Sequence, residues 1–325
     1  NNSTIPDPFE VAEIVGVKPC MMAPKQVWKF AWRLHGAILP ILHFGDKAKP
    51  RDSKYSLKVL WCKAIASMDR SSKVYDDRWT YDTLPSTSRW LLRLLPIRLF
   101  PRLHHANIEA RTAYLDNVIK LEIEHALNGT NGENGDTCTT KIKLISLGAG
   151  YDIRCSRLLS QYSQRNVDVV AYELDLENVV KSKSLILDRV KQRRPETLQP
   201  TLIATDLNDV DGTVKATLEE IILNPNFNAD VDRIYTIFVS EGVMIYLNPG
   251  VPSSLLKLLR NTVLEGGETH TASFCFADRL ENVPGGDINS ATKELSIAGW
   301  DLSVDQWCPK PGLARHMGVA RLVDK

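Results

Sequence analysis

Residues Lys141 to Val180 restrict what this chain can fold into more than any other stretch. They read KIKLISLGAGYDIRCSRLL, a polar gap QYSQRN, then VDVVAYELDLENVV. The apolar run Leu144 to Leu147 meets Gly148-Ala149-Gly150, and a helical pattern carrying Ile153, Leu158 and Leu159 follows. A second apolar run, Val167 to Tyr172, ends in the acidic cluster Glu173-Leu174-Asp175. A buried strand, a glycine turn, a helix and a second strand ending in a carboxylate make half of a nucleotide-binding α/β unit. The glycines let the backbone approach a ligand where a Cβ would intervene. The carboxylate can accept hydrogen bonds from both ribose hydroxyls. Gly148, Ala149, Gly150, Asp152, Glu173 and Asp175 are therefore candidate ligand-binding residues.

The local chemistry distinguishes between nucleotides. A dinucleotide site needs a third glycine and a helix N-terminus open to a pyrophosphate. Here the third position is Ile153, and Asp152 is expected in the first helical turn. A carboxylate there repels a pyrophosphate and suits a cationic ligand. S-adenosylmethionine carries a sulfonium and an ammonium and no phosphate, so this stretch favours a methyl donor over NAD.

Beyond Val180 the alternation continues. Val179 to Val190 reads as a helix, KQRRP as a loop, and Thr201 to Thr205 as a strand ending at Asp206-Leu207. Val214 to Leu223 is helical, and Arg233 to Val239 is a strand ending at Ser240-Glu241. Pro252 to Thr262 is a helix, His270 to Phe276 a strand, Glu294 to Gly299 the end of a helix, and Met317 to Leu322 a last strand. Strands alternating with helices predict a mostly parallel, doubly wound sheet with ligands beyond the C-terminal strand ends. Gly148, Asp175, Asp206 and Glu241 all fall at such ends.

The N-terminal part reads as a helical cap. Gln26 to Phe44 is apolar but interrupted by Arg33, His35 and Pro40, and is too short to span a membrane. Tyr55 to Met68 predicts an amphipathic helix, and Ala106 to Leu127 a long one. Between them, Arg89 to His105 alternates leucine with arginine around Pro96 and Pro101. It reads as a lid over the sheet, or as a surface element touching a membrane or an acidic partner. The flexible loop Asn128 to Asp136, NGTNGENGD, divides the chain into a cap over residues 1–127, a loop over 128–140 and a core over 141–325.

A balance of 40 basic to 39 acidic residues gives no electrostatic case for nucleic acid. Six scattered cysteines have no CxxC pair and no metal-ligand spacing, so reduced thiols in a cytoplasmic compartment and no metal are expected. The chain does not begin with Met, which leaves room for a removed targeting segment.

GAGYDIR, YELDLENVV, ATDLNDV and SEGVMIYL, in that order, resemble the successive motifs of the leucine carboxyl methyltransferase-like family, over roughly Ala106 to Phe276. The resemblance implies a class I methyltransferase fold, Rossmann-like with an N-terminal helical cap, that uses S-adenosylmethionine. It implies that Gly148 lies against the methionine part of the donor, that Asp175 holds the ribose, and that Asp206 and Leu207 meet the adenine. Glu241 would lie close to the donor. Arg111, in ARTAYLDNVI, matches the family's arginine for the donor carboxylate, and Lys63, in WCKAIASMD, the family's lysine on an earlier helix. The family's best-known branch esterifies a C-terminal leucine carboxylate of a protein phosphatase. This chain departs from that branch before Tyr55, at the 128–136 loop and after Phe276.

Each candidate has a structural alternative: a surface ion pair for Arg111, a helix cap for Asp175, a turn for Asp206, a buried structural acid for Glu241 and core packing for Tyr246. Arg111, Glu241 and Tyr246 are the residues expected next to the chemistry. A carboxylate acceptor is ionised near neutrality and needs no base, whereas a hydroxyl or amine does. No base stands out, so the acceptor is expected to be a carboxylate on a small molecule or a protein C-terminus. A hydroxyl or amine of a metabolite is the second choice. An NAD(P)-dependent oxidoreductase and a non-catalytic nucleotide-binding protein are the remaining alternatives.

Overall fold

The computed structural model describes residue 43 and residues 53–67, 78–94, 102–128, 139–165, 167–224, 232–309 and 316–323. All of the Gln26 to Phe44 stretch but residue 43, all but one residue of the Asn128 to Asp136 loop, and residues 95–101 of the Arg89 to His105 segment lie outside these residues.

The chain enters through α1 (Ser53–Ala66), α2 (Arg78–Asp82), α3 (Ser86–Leu94) and α4 (Arg102–Asn128). It continues as β1 (Thr140–Leu147), α5 (Arg154–Ser163), β2 (Val169–Asp175), α6 (Glu177–Arg193), β3 (Thr201–Ala204), α7 (Lys215–Leu223) and β4 (Arg233–Glu241). The last elements are α8 (Val251–Glu265), β5 (His270–Asp278), α9 (Ile288–Ile297), β6 (Trp300–Leu302) and β7 (His316–Leu322). Seven strands form one sheet in the order β3-β2-β1-β4-β5-β7-β6. Strands β1 to β5 are parallel, and β7 runs antiparallel to both β5 and β6. The parallel core matches the sequence expectation. The three-residue β6 is too short to leave a period of its own.

Register fixes where the site is. Leu147 on β1 sits beside Leu174 on β2 and Ser240 on β4, and Asp175 beside Ala204 on β3. Gly148, Leu176, Thr205 and Glu241 therefore leave the sheet along one edge, at the reversal of strand order between β1 and β4, where such sheets take their ligands.

One face of the sheet is covered by α7, α8 and α9, whose Leu218, Leu255, Leu259 and Leu295 pack with Phe238, Phe274 and Trp300. The other face carries α4 and α5, with Leu115, Ile119, Ile123, Leu158 and Tyr162 against Ile142, Leu144 and Ile237. Helix α4 thus belongs to the layer on the sheet. Helix α1 lies over the glycine turn, with Leu57, Leu60 and Trp61 packed against Tyr151, Ile153, Val179 and Ile186. Ile153 fills the space where a dinucleotide fold would place a glycine, and that residue ties the turn to the cap.

The basic residues after Val190 are not a loop: Lys191 and Arg193 complete the last turn of α6. The arginines at this end of α6 attach it to the cap. Arg189 Nη1 donates to the Thr83 carbonyl (2.7 Å), and Arg193 Nη1 to the carbonyls of Asp82 and Leu84. Arg194 pairs with Asp82 at 2.7 Å and lies over the Trp79 ring. A helix needs partners for its last carbonyls and favours cations there. Here those cations reach across to a neighbouring turn. Among the described residues no helix is long and apolar enough to cross a membrane.

Candidate active site

A cavity of about 460 Å³ opens at the C-terminal edge of the sheet, floored by Gly148 to Asp152, Asp175, Leu176, Thr205 to Asn208 and Glu241 to Val243. Its roof is one face of α1: Ser56, Val59, Leu60 and Lys63 line it at helical i, i+3, i+4, i+7 spacing. Arg111 of α4 and Tyr246 complete the wall.

The glycine turn needs its glycines. Gly148 has φ of +59°, and a Cβ there would lie 2.4 Å from Val243 Cγ2. Gly150 has φ of +53°, and its N–H donates to Asp175 Oδ2 at 2.7 Å. The Leu176 N–H donates to Asp175 Oδ1 at 2.8 Å. Burial raises the Asp175 carboxyl above its ordinary value, and these two N–H groups and the Lys183 charge offset part of that rise.

Helix α5 begins at Arg154, so Asp152 precedes the first helical turn; its Oδ1 accepts the Arg154 N–H at 2.9 Å. The charge of Asp152 is also matched already, by Lys63 Nζ at 2.7 Å and Arg154 Nη1 at 3.0 Å. It is part of an ion network and not a lone anion presented to a ligand. Glu241 is the centre of that network. It accepts from Lys63 Nζ (3.1 Å) and Arg154 Nη2 (2.8 Å) on Oε2, and from Arg111 Nε (2.8 Å) on Oε1. Asp116 of α4 anchors Arg154 and Arg157 at 2.6 and 2.5 Å. Burial alone would raise Glu241, but Lys63, Arg154 and Arg111 outweigh it and hold the carboxyl down at about 2. Burial is outweighed in the same way at Asp152 by Arg154 and Lys63, which keep it well below its ordinary range. Four cations and three carboxylates from α1, α4, α5, the glycine turn and β4 thus meet at one end of the cavity.

The sequence candidates Lys63, Arg111, Gly148, Ala149, Gly150, Asp152, Asp175, Asp206, Leu207, Glu241 and Tyr246 all line this cavity. Asp206 also makes the turn considered for it, accepting the Asn208 N–H at 3.0 Å with its side chain at the surface. Tyr246 is 53% exposed and so is not a core residue. Glu173 is the exception. It lies beneath the cavity, 2% exposed and paired with Lys183 of α6 at 2.5 Å, because it stands two residues short of the strand end at which Asp175 reaches the cavity.

Two site features are not apparent in sequence alone. Arg154 occupies the first position of a helix, where the dipole disfavours a cation; that mismatch is the available signal of an acidic partner. Asp278, at the end of β5, is fully buried. Its Oδ2 accepts from Ser240 Oγ (2.8 Å), the Val243 N–H (2.7 Å) and the Met244 N–H (3.0 Å), and its Oδ1 accepts the Arg279 N–H (2.8 Å). This side chain shapes the turn that presses Val243 onto Gly148.

Among solved structures, magnesium protoporphyrin IX methyltransferase from Synechocystis PCC 6803 with bound SAM is similar at 12% identity and TM-score 0.40, over 77% of this chain and 98% of that one. The CurJ carbon methyltransferase is similar at 13% identity and TM-score 0.39, over 98% of this chain and 84% of that one. The DszA carbon methyltransferase is similar at 12% identity and TM-score 0.40, over 93% and 71% of the two chains. No curated protein matches the sequence. The family model for leucine carboxyl methyltransferase matches residues 57–260, more than half of the chain and the stretch that holds the site network. The chain belongs to the leucine carboxyl methyltransferase family and is an S-adenosylmethionine-dependent methyltransferase.

Proposed function

We propose that the protein transfers the donor's methyl group to a carboxylate oxygen of a small molecule or a protein C-terminus. Asp175 takes the ribose hydroxyls, the Asp206–Leu207 turn meets the adenine, and Gly148 to Gly150 lie along the methionine chain. Lys63 and Arg111 hold the donor carboxylate. Asp175 supports this because a carboxylate has about four acceptor positions and the Gly150 and Leu176 N–H groups use two. The cation-rich network supports it because it suits an anionic group of the ligand.

When bound, the donor supplies a methyl group on a sulfonium, which an in-line oxygen takes while the C–S electron pair stays on sulfur. The protein's contribution is positioning and exclusion of water. Glu241 fixes Lys63, Arg111 and Arg154 relative to β4, so the cations are in place before ligand arrives.

The observation that carries the carboxylate reading is the state of the lining acids and bases. Glu241 and Asp152 are ion-paired and held ionised far below neutrality, so neither has a proton affinity suited to a base at pH 7. Among the described residues no histidine lines the cavity. An acceptor that arrives ionised requires none. Tyr246, at the exposed edge, favours the second reading, a hydroxyl acceptor. A labelled-methyl assay over a panel of carboxylic acids, alcohols and amines separates the two. A methyl ester releases labelled methanol in mild base, and an ether or N-methyl product does not. Base-stable label in every product would refute the carboxylate reading.

A further inference from the structure

Glu173 and Lys183 form an ion pair 2.5 Å apart with each side chain 2% exposed, and neither lines the cavity. Burying two charges is costly, so a pair in this place calls for an explanation. Glu173 precedes Asp175 by two residues on β2, so both project from the same face of the strand. Lys183 projects from α6, which begins at Glu177, directly after Asp175. We infer that Glu173 and Lys183 are a positioning pair for the donor site: Glu173 holds the Lys183 ammonium beneath the glycine turn, where its charge keeps Asp175 an acceptor for the ribose hydroxyls.

The inference rests on Asp175 as the ribose ligand. Lys183 exerts a favourable charge interaction on both Asp175 and Asp152. The titratable and charged groups around them are Glu173 on β2, Asp152 in the glycine turn with its partners Lys63 of α1 and Arg154 of α5, and Cys155 of α5. Cys155 is held protonated, since burial raises it well above its ordinary value. Lys63 and Arg154 are engaged with Asp152 and Glu241. Burial raises Asp175, the Gly150 and Leu176 N–H groups oppose that rise first, and the Lys183 charge adds to them. Without Lys183 the Asp175 carboxyl rises further, and binding should then improve as pH climbs through its titration.

Calorimetry of S-adenosylmethionine binding between pH 5.5 and 7.0, below the titration of the donor's own amino group near 7.7–8.0, tests this on the whole protein. Lys183→Met should bind about tenfold more weakly at the acid end, the scale of one lost charge contact, and the deficit should narrow toward pH 7.0. Glu173→Gln/Lys183→Met removes both charges, keeps the volume, and guards against a fold lost to a lone buried acid. It should show a deficit with the same pH dependence but a smaller size, because the Glu173 charge goes with that of Lys183, and Asp175→Asn/Lys183→Met should bind weakly with no such pH dependence. If the Glu173→Gln/Lys183→Met variant binds as the wild type does, or equally weakly at every pH, the pair is packing and the inference fails. If Asp175→Ala itself binds normally, the donor-site reading fails instead.

Discussion

Replacing Asp278 by alanine removes one acceptor group that serves four donors: the Ser240 hydroxyl and the N–H groups of Val243, Met244 and Arg279. The carboxylate is fully buried, and Ser240 and Met244 are nearly so. A buried donor left without a partner costs about 1–3 kcal/mol, and hydrogen bonds to a charged acceptor are worth about 1.5–3 kcal/mol each. Water entering the small void would recover part of this, and removing the charge recovers its desolvation. A net loss of about 3–5 kcal/mol is expected. For a chain of this size that corresponds to a fall in Tm of about 6–10 °C, at roughly 2 °C per kcal/mol. Asp278→Asn keeps one oxygen for the three donors now on Oδ2 and turns its amide toward the Arg279 N–H, so it should lose about half as much. Because the same carboxylate seats Val243 against Gly148, donor affinity should fall in the alanine variant even where it is folded. Denaturant unfolding with and without S-adenosylmethionine measures both effects. A loss below about 1 kcal/mol, or identical behaviour of the alanine and asparagine variants, would refute this account of the turn.

Asp175→Ala should weaken donor binding by about 2–4 kcal/mol in calorimetry, through two lost charge-assisted hydrogen bonds. Arg111→Lys keeps the charge but not the planar fork, and should weaken donor binding about tenfold while the protein stays folded. Gly148→Ala should be destabilising by about 2–4 kcal/mol, because it combines an unfavourable φ with a Cβ at 2.4 Å from Val243. Folding stability should fall with acid in a window set by Glu241. Its folded value of about 2 lies below the ordinary 4.5, so its contribution is complete above about pH 4.5 and is lost as pH drops toward 2. Glu241→Gln should flatten that part of a stability–pH curve, and an unchanged slope would count against the network.

The features legible in the sequence are those in which one short stretch specifies its own geometry. KIKLISLGAG could be read because an apolar run meeting two glycines leaves few backbone options. The carboxylates at Asp175, Asp206 and Glu241 could be read because each lies at a strand end or within two residues of one. Boundaries failed where the local signal was ambiguous. The KQRR stretch looks like a polar loop, yet α6 continues to Arg193, since that arginine finds carbonyls at Asp82 and Leu84 about 110 residues earlier.

The remaining features depend on partners that sequence separation hides. Lys63 and Glu241 lie 178 positions apart, and Arg111 and Glu241 130. Nothing in WCKAIASM says that this lysine faces a carboxylate, because a lysine on an amphipathic helix ordinarily belongs to the solvent side. The charge balance decides the matter. Arg154 opens a helix against the dipole, and Asp152 in the glycine turn and Glu241 at the end of β4 are largely withdrawn from solvent. None of the three is stable alone in a low-dielectric site. They are tolerable only together, and Lys63 and Arg111 are the residues that α1 and α4 bring within reach. Ion pairs of this kind are sensitive to the loss of one member, since each deletion leaves an uncompensated buried charge. Lys63→Met should therefore destabilise the protein more than Lys63→Met/Asp152→Asn, and a double-mutant cycle measures the difference. If the two losses simply add, Lys63 and Asp152 act independently, and the network does not hold the cap over the donor cavity.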